Sequence, residues 1–247
     1  MIIEDTRILY AGQDCMVINK LPGESAEPTD AGGMIDLPRI LAAQFGEAGG
    51  GQTGGPSFPA AVHRLDVPVS GCVLFARNPA AMASLSAAFS QGRAEKIYWA
   101  IIEMPPPGVV PAETPAETVE LIHWIKTDVR RNKSIAYNEE GPGRKKAVLR
   151  YRVLGRGTRY LFLEIELITG RHHQIRAQLA ALGLRIKGDL KYGSRRSEKN
   201  GGIRLHGFSL SFPSPADPEK IIRVSGEPPL QDPLWDAFKK ARGLPPL

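Results

Sequence analysis

The chain has little cysteine, no long apolar run and few aromatic rings. Of 247 residues only two, Cys15 and Cys72, are cysteines, and they form no CxxC pair, which excludes a disulfide framework and a cysteine-rich zinc site. No stretch approaches the roughly 20 apolar residues of a membrane span. The opening MIIEDTRILY lacks the basic and apolar regions of a signal peptide, so a cytoplasmic, membrane-free protein is expected. Glycine is plentiful in EAGGGQTGGPSFP, but no GK[ST] follows, so this stretch is read as a flexible loop (about 47–58) and not as a phosphate cradle. With 42% hydrophobic and 23% charged residues, the rest has an ordinary globular composition.

The net charge of +6 is unevenly spread. Residues 1–57 hold three Lys/Arg and eight Asp/Glu, leaving 29 against 18, or +11, for the remainder. A basic surface built from the later residues suits a polyanion, although ordinary solvated charge gives the same count.

The hydrophobic pattern predicts strands around the turn Gly12-Gln13-Asp14, a helix from Leu37 to Phe45, a buried strand from Gly71 to Arg77, and a helix opened by Asn78-Pro79. A strand at Lys96–Ile102 precedes a Pro-rich connection (about 104–118). Beyond it, AVLRYRVL and RYLFLEIELI alternate, the second presenting Leu161, Leu163, Ile165 and Leu167 on one face. RHHQIRAQLAALG reads as a helix with His172 and Arg176 on one face. Strands follow at 203–212 and 220–224, and Asp232-Pro233 opens a last helix. Many consecutive strands with a few helices imply an α+β fold with a mixed, mainly antiparallel sheet, in a single domain over 1–247.

Four polar clusters interrupt this pattern. His63-Arg64-Leu65-Asp66 precedes VPVSG, and Asp66 is either a turn residue or a carboxylate kept ionised as a nucleophile. In Lys96-Ile97-Tyr98-Trp99, Tyr98 is either a core aromatic or a ring for stacking a base. Thr169-Gly170-Arg171-His172-His173-Gln174-Ile175-Arg176 lacks the i, i+4 histidine pair of a helical zinc site, while Arg176 can reach a carboxylate. The last, Lys187-Gly188-Asp189-Leu190-Lys191-Tyr192-Gly193, is a glycine-bounded basic loop suited to a turn or a phosphate contact.

In this order the clusters resemble the RluA family of pseudouridine synthases, whose HRLDxxTSG, KxY, TGRxHQIR and GDxxYG patterns are close to residues 63–71, 96–98, 169–176 and 188–193. The resemblance extends more weakly from ILYAGQDCMVINKLPG to IRLHGFSLSFPSP. It implies a catalytic domain without an appended S4-type domain, converting uridine in structured RNA, ribosomal or transfer, to pseudouridine. By the same resemblance Asp66 is the catalytic aspartate, attacking C6 of the base or C1′ of the ribose. Tyr98 stacks on the uracil and takes part in C5 deprotonation, Arg176 pairs with the aspartate, and Arg64 fills the space of the flipped base. His63, Arg171, His173 and Gln174 are the motif's RNA-binding residues, with Leu205 as the aliphatic wall. Lysines and arginines between Lys126 and Arg156 supply backbone contacts. An isomerisation requires no cofactor or metal, and a monomer suffices. Val69 and His172 depart from the threonines of the family pattern. A non-catalytic RNA-binding or ribosome-assembly factor on the same fold is the alternative.

Overall fold

The computed structural model describes residues 2–30, 33–46, 58–109, 117–229 and 232–243. The expected Gly-rich loop, Phe58 apart, and positions 110–116 of the Pro-rich connection lie outside the described residues. The chain divides into two compact units, residues 1–96 with 207–229 and residues 97–206 with 230–247.

In the first unit, β1 (Ile8–Ala11) and β2 (Cys15–Lys20) form the expected hairpin, followed by the short β3 (Glu24–Ser25) and β4 (Ile35–Asp36), which pair in parallel. Helix α1 (Leu37–Phe45) starts where the Asp36 carboxylate accepts from the Arg39 amide, satisfying an otherwise orphaned donor. Strands β5 (Ala60–Ala61) and β6 (Ser70–Ala76) follow, and β6 pairs antiparallel with both β2 and β5. Asn78 accepts from the Ala81 amide and Pro79 fixes the first turn of α2 (Pro79–Ser90), as the sequence predicts. The core gathers Val17, Leu74, Leu85, Leu210 and Phe212 with both cysteines, which are free, buried thiols.

The chain continues through β7 (Glu95–Glu103), β8 (Val119–Asp128), β9 (Lys133–Tyr137), β10 (Lys145–Arg156) and β11 (Tyr160–Leu167), which in the second unit make an antiparallel sheet ordered β7-β11-β10-β8-β9. Helix α3 (Gln174–Ala181) lies over one face, where Gln178 Nε2 donates to the carbonyls of Leu121 and Ala147. After β12 (Leu205–Pro213) and its antiparallel partner β13 (Ile221–Ser225), the Asp232 carboxylate caps α4 (Pro233–Arg242) by accepting from the amides of Leu234 and Trp235. Helix α4 covers the opposite face of the second unit's sheet, with Phe238 tilted against Trp99 and Phe162. That is why β11 is buried on both sides, where its alternation predicts one buried face only. Gly155 admits α4, since a Cβ there would lie 2.7 Å from that of Ala241.

Candidate active site

Residues His63, Arg64 and Asp66 belong to the first unit, and Tyr98, Arg171, His173, Gln174, Arg176 and Leu205 to the second. Asp66 sits in the turn between β5 and β6, half-buried, its carbonyl accepting from the Val69 amide at 2.9 Å. The main chain of this turn is held by a residue the motif reading passed over. Lys20, at the end of β2 and fully buried, donates through Nζ to the carbonyls of Val69 at 2.6 Å, Leu21 at 3.0 Å and Val67 at 3.1 Å. Three N–H donors meet three acceptors, two of them in the Asp66 turn. Burial pushes the Lys20 ammonium down to about 7, while the charges of Glu24 and then Asp66 act the other way. Its sequence signal was the lysine of INKLPG, the one charged residue of the strand CMVINK.

His63 accepts from the Leu74 amide at 3.2 Å through Nε2 and stacks on Phe89 at 5.0 Å. Burial, and then the charge of Lys96, push its pKa down to about 3, so the ring is a neutral acceptor that ties the turn to β6. Arg64 is exposed and ion-paired with Glu27 at 2.7 Å. Gly71 closes the motif with φ 126°, and a Cβ on it would lie 2.4 Å from the backbone N and O of Gly207. Only glycine fits this approach of β6 to β12. Val69 is buried and contributes its amide to the turn, so the threonine hydroxyl it lacks plays no part in that bond.

In the second unit, Tyr98 is buried on β7 opposite Ile165, on the sheet face that carries α3. Arg176, in the first turns of α3, makes a bidentate pair with Asp189, Nε to Oδ2 at 2.7 Å and Nη2 to Oδ1 at 2.8 Å. Its guanidinium also lies 4.9 Å from the Tyr192 ring centroid. The resemblance gave Arg176 the catalytic aspartate, Asp66, as its partner and did not select Asp189, although both Asp189 and Tyr192 lie in the GDxxYG segment. Tyr192 in turn bonds through its hydroxyl to Ser134 and to His173 Nδ1 at 3.0 Å.

The expected helix register needs correction. Residue His172 is not one turn before Arg176 on a shared helical face, because the helix begins at Gln174 and His173 adopts the left-handed conformation, φ 53°. Gln174 explains the late start. Its Oε1 accepts from Thr169 Oγ1 and the Arg171 amide while Nε2 donates to the Val148 carbonyl, which folds the TGRHHQ segment back onto β10. Gln174 is thus buried and shapes the loop. It leaves Arg171 exposed, with Nε on the Lys146 carbonyl, and His172 against Ser134 Oγ at 3.0 Å. Leu205 is buried at the start of β12. Among the described residues no group of three or more His, Cys, Asp or Glu is arranged to hold a metal ion.

Residues 14–181 match the family model described as RNA pseudouridylate synthase. An uncharacterised RNA pseudouridine synthase of Zymomonas mobilis is 34% identical over 210 residues, covering 83% of this chain and 87% of its own length. A protein of Vibrio cholerae named ribosomal large subunit pseudouridine synthase C is 29% identical, covering 95% of this chain and 69% of its own. Human RNA pseudouridylate synthase domain containing 1 has the same fold, with a TM-score of 0.68 over the whole of both chains at 24% identity.

Proposed function

The chain belongs to the RNA pseudouridine synthase family, enzymes that isomerise uridine in RNA, and from that premise we propose that Asp66 is its nucleophile. The observation that carries this reading is the Lys20 ammonium bonded to both Val67 and Val69, which fixes the backbone immediately after a half-buried aspartate. A structural turn aspartate needs no such anchor. Isomerisation breaks the N1–C1′ bond, turns the uracil, forms C5–C1′, releases the C5 proton to solvent and leaves N1 carrying a proton taken up in its place. Asp66 attacks as a carboxylate at C6 or C1′, with a cation beside it to balance its charge. Arg176 takes that part in our reading, Tyr98 provides the stacking ring and the route for the C5 proton, and Leu205 the aliphatic wall. Extruding a base from folded RNA costs a few kcal/mol, offset by stacking and by phosphate contacts. Arg64 and Arg171, both exposed, face the RNA in this proposal, Arg64 exchanging Glu27 for substrate, while His63 and His173 hold the segments that carry them.

Ribosomal RNA is one candidate substrate, as the name of the Vibrio cholerae relative suggests, and transfer RNA the other. We place the enzyme in the cytoplasm as a monomer, consistent with two unpaired, buried thiols. The test is tritium release from RNA labelled at uridine C5, with ribosomal and transfer RNA pools from a deletion strain assayed separately. Wild type is expected to release tritium and leave pseudouridine in one pool, and Asp66→Asn to release none. Release by Asp66→Asn at the wild-type rate, or by neither protein from any pool, overturns the proposal.

A further inference from the structure

Among the described residues, α4 meets its face of the second unit's sheet at Trp99 of β7, Phe162 of β11 and Gly155 at the far end of β10. Toward the β9 edge the same face presents Ile122 and Trp124 from β8, Ile135 and Tyr137 from β9, and Val148 from β10. Register places them together: Trp124 pairs with Tyr137 and with Lys146, Ile122 with Val148, and Lys126 with Ile135. Ile122 and Ile135 are 43% and 44% exposed, and both rings are half-buried. Large apolar side chains side by side on an open sheet face need an occupant.

The charges around them select one. Lys126 and Lys146 are exposed and flank the two rings, and the Arg144 guanidinium lies 3.8 Å from the Tyr137 ring centroid. The acidic residues of this region bound the patch and are paired or lie in the adjoining turn: Glu120 with Arg150 at one end, Asp128 with Arg131 beyond Lys126 at the other, and Glu139 and Glu140 in the turn after β9. Adjacent aromatic rings on a sheet, rimmed by lysine and arginine, are the chemistry that holds single-stranded RNA, bases on the rings and phosphates on the cations. The two features together, stacking rings and a rim of cations spaced along them, match a chain that alternates bases with phosphates.

We propose that the Trp124–Tyr137 face is a second RNA-binding platform, taking an unpaired segment that flanks the target stem-loop. It lies on the sheet face opposite the one bearing α3 and Tyr98, so it adds affinity and site choice without touching the reacting uridine. The inference rests on RNA being the substrate, not on the role of Asp66.

The test uses the full chain and a 12-nucleotide oligoadenylate, which contains no uridine and so separates this binding from catalysis. Of the three tryptophans, Trp99 and Trp235 are buried, so oligoadenylate is expected to quench the emission of Trp124. Trp124→Phe should bind but lose the quench, and Trp124→Ala should weaken binding about 5- to 100-fold. Lys126→Glu with Lys146→Glu, folded as judged by circular dichroism, should flatten the slope of log affinity against log salt by about 1.4, two single-strand phosphate contacts. Unquenched emission under saturating oligoadenylate, or a slope unchanged in the double variant, overturns the proposal. So does a concentration-dependent dimer in sedimentation that the double variant dissociates, which would make the face a contact between copies. Wild type that binds oligoadenylate on this face yet releases no tritium removes the proposed catalysis and leaves the platform standing.

Discussion

Replacing Asp189 by asparagine keeps the side chain's size and removes its charge. Arg176 and Asp189 have side chains only 5% and 1% exposed, so neither can turn to water in exchange. The amide can accept from one guanidinium nitrogen in place of the two bonds at 2.7 and 2.8 Å, and its NH2 meets the other donor head on. Taking the charge from one partner of a buried pair costs about 3–5 kcal/mol, because the desolvated guanidinium loses its bidentate carboxylate. For a chain of this size each kcal/mol is worth roughly 2–4 °C, so Tm measured by circular dichroism should fall by about 6–20 °C. The protein stays folded at 25 °C against a total stability of about 5–15 kcal/mol. Converting both partners to apolar residues, Arg176→Met with Asp189→Leu, should restore most of that loss while abolishing tritium release, since the fold tolerates an apolar pair and the chemistry needs the cation. A fall of less than about 3 °C in Asp189→Asn, or a double variant no more stable than the sum of its singles, would refute the reasoning.

Three further outcomes are expected. Lys20→Met strips the Asp66 turn of its anchor, and kcat for tritium release should fall at least about 10-fold with KM for RNA nearly unchanged, since misplacing a reacting group by 1 Å costs about 100-fold; a kcat within twofold of wild type would show the turn to be held by other means. His63 is neutral in the folded protein down to about pH 3 but protonates near 6.5 when unfolded, so the stability it contributes is complete above pH 6.5 and is lost as pH falls toward 3. At about 1.4 kcal/mol per pH unit, wild type should lose about 2 kcal/mol more than His63→Gln between pH 7 and pH 5 in urea titrations, and equal losses would contradict the desolvated imidazole. Gly71→Ala puts a methyl group into the Gly207 backbone at a positive φ, and it should yield insoluble protein or lose several kcal/mol, where Gly92→Ala, with open space around it, should lose about 1–2 kcal/mol.

Periodicity and capping chemistry were enough to read most elements from the sequence. Asn78-Pro79 and Asp232-Pro233 mark helix starts by interactions confined to four residues, and the β10–β11 alternation follows from a period of two. The HRLD, KxY, TGRxHQIR and GDxxYG segments were legible for the same reason, each being a short run whose residue types and order are visible without a fold. The helix register at His172 was not legible, because Gln174 spends its amide on Thr169 and Val148, the latter 26 residues away.

The α+β class and the family followed from local pattern and side-chain identity alone, and the same patterns nominated the residues we propose for the chemistry. Tertiary structure alone decided which side chains hold those residues in place. Lys20 reaches Val69 across 49 positions, Asp189 meets Arg176 across 13, and Trp124 joins Tyr137 only through the β8–β9 register. A buried ammonium or carboxylate is stable only where its hydrogen-bond partners converge, and that convergence is a property of the packed chain.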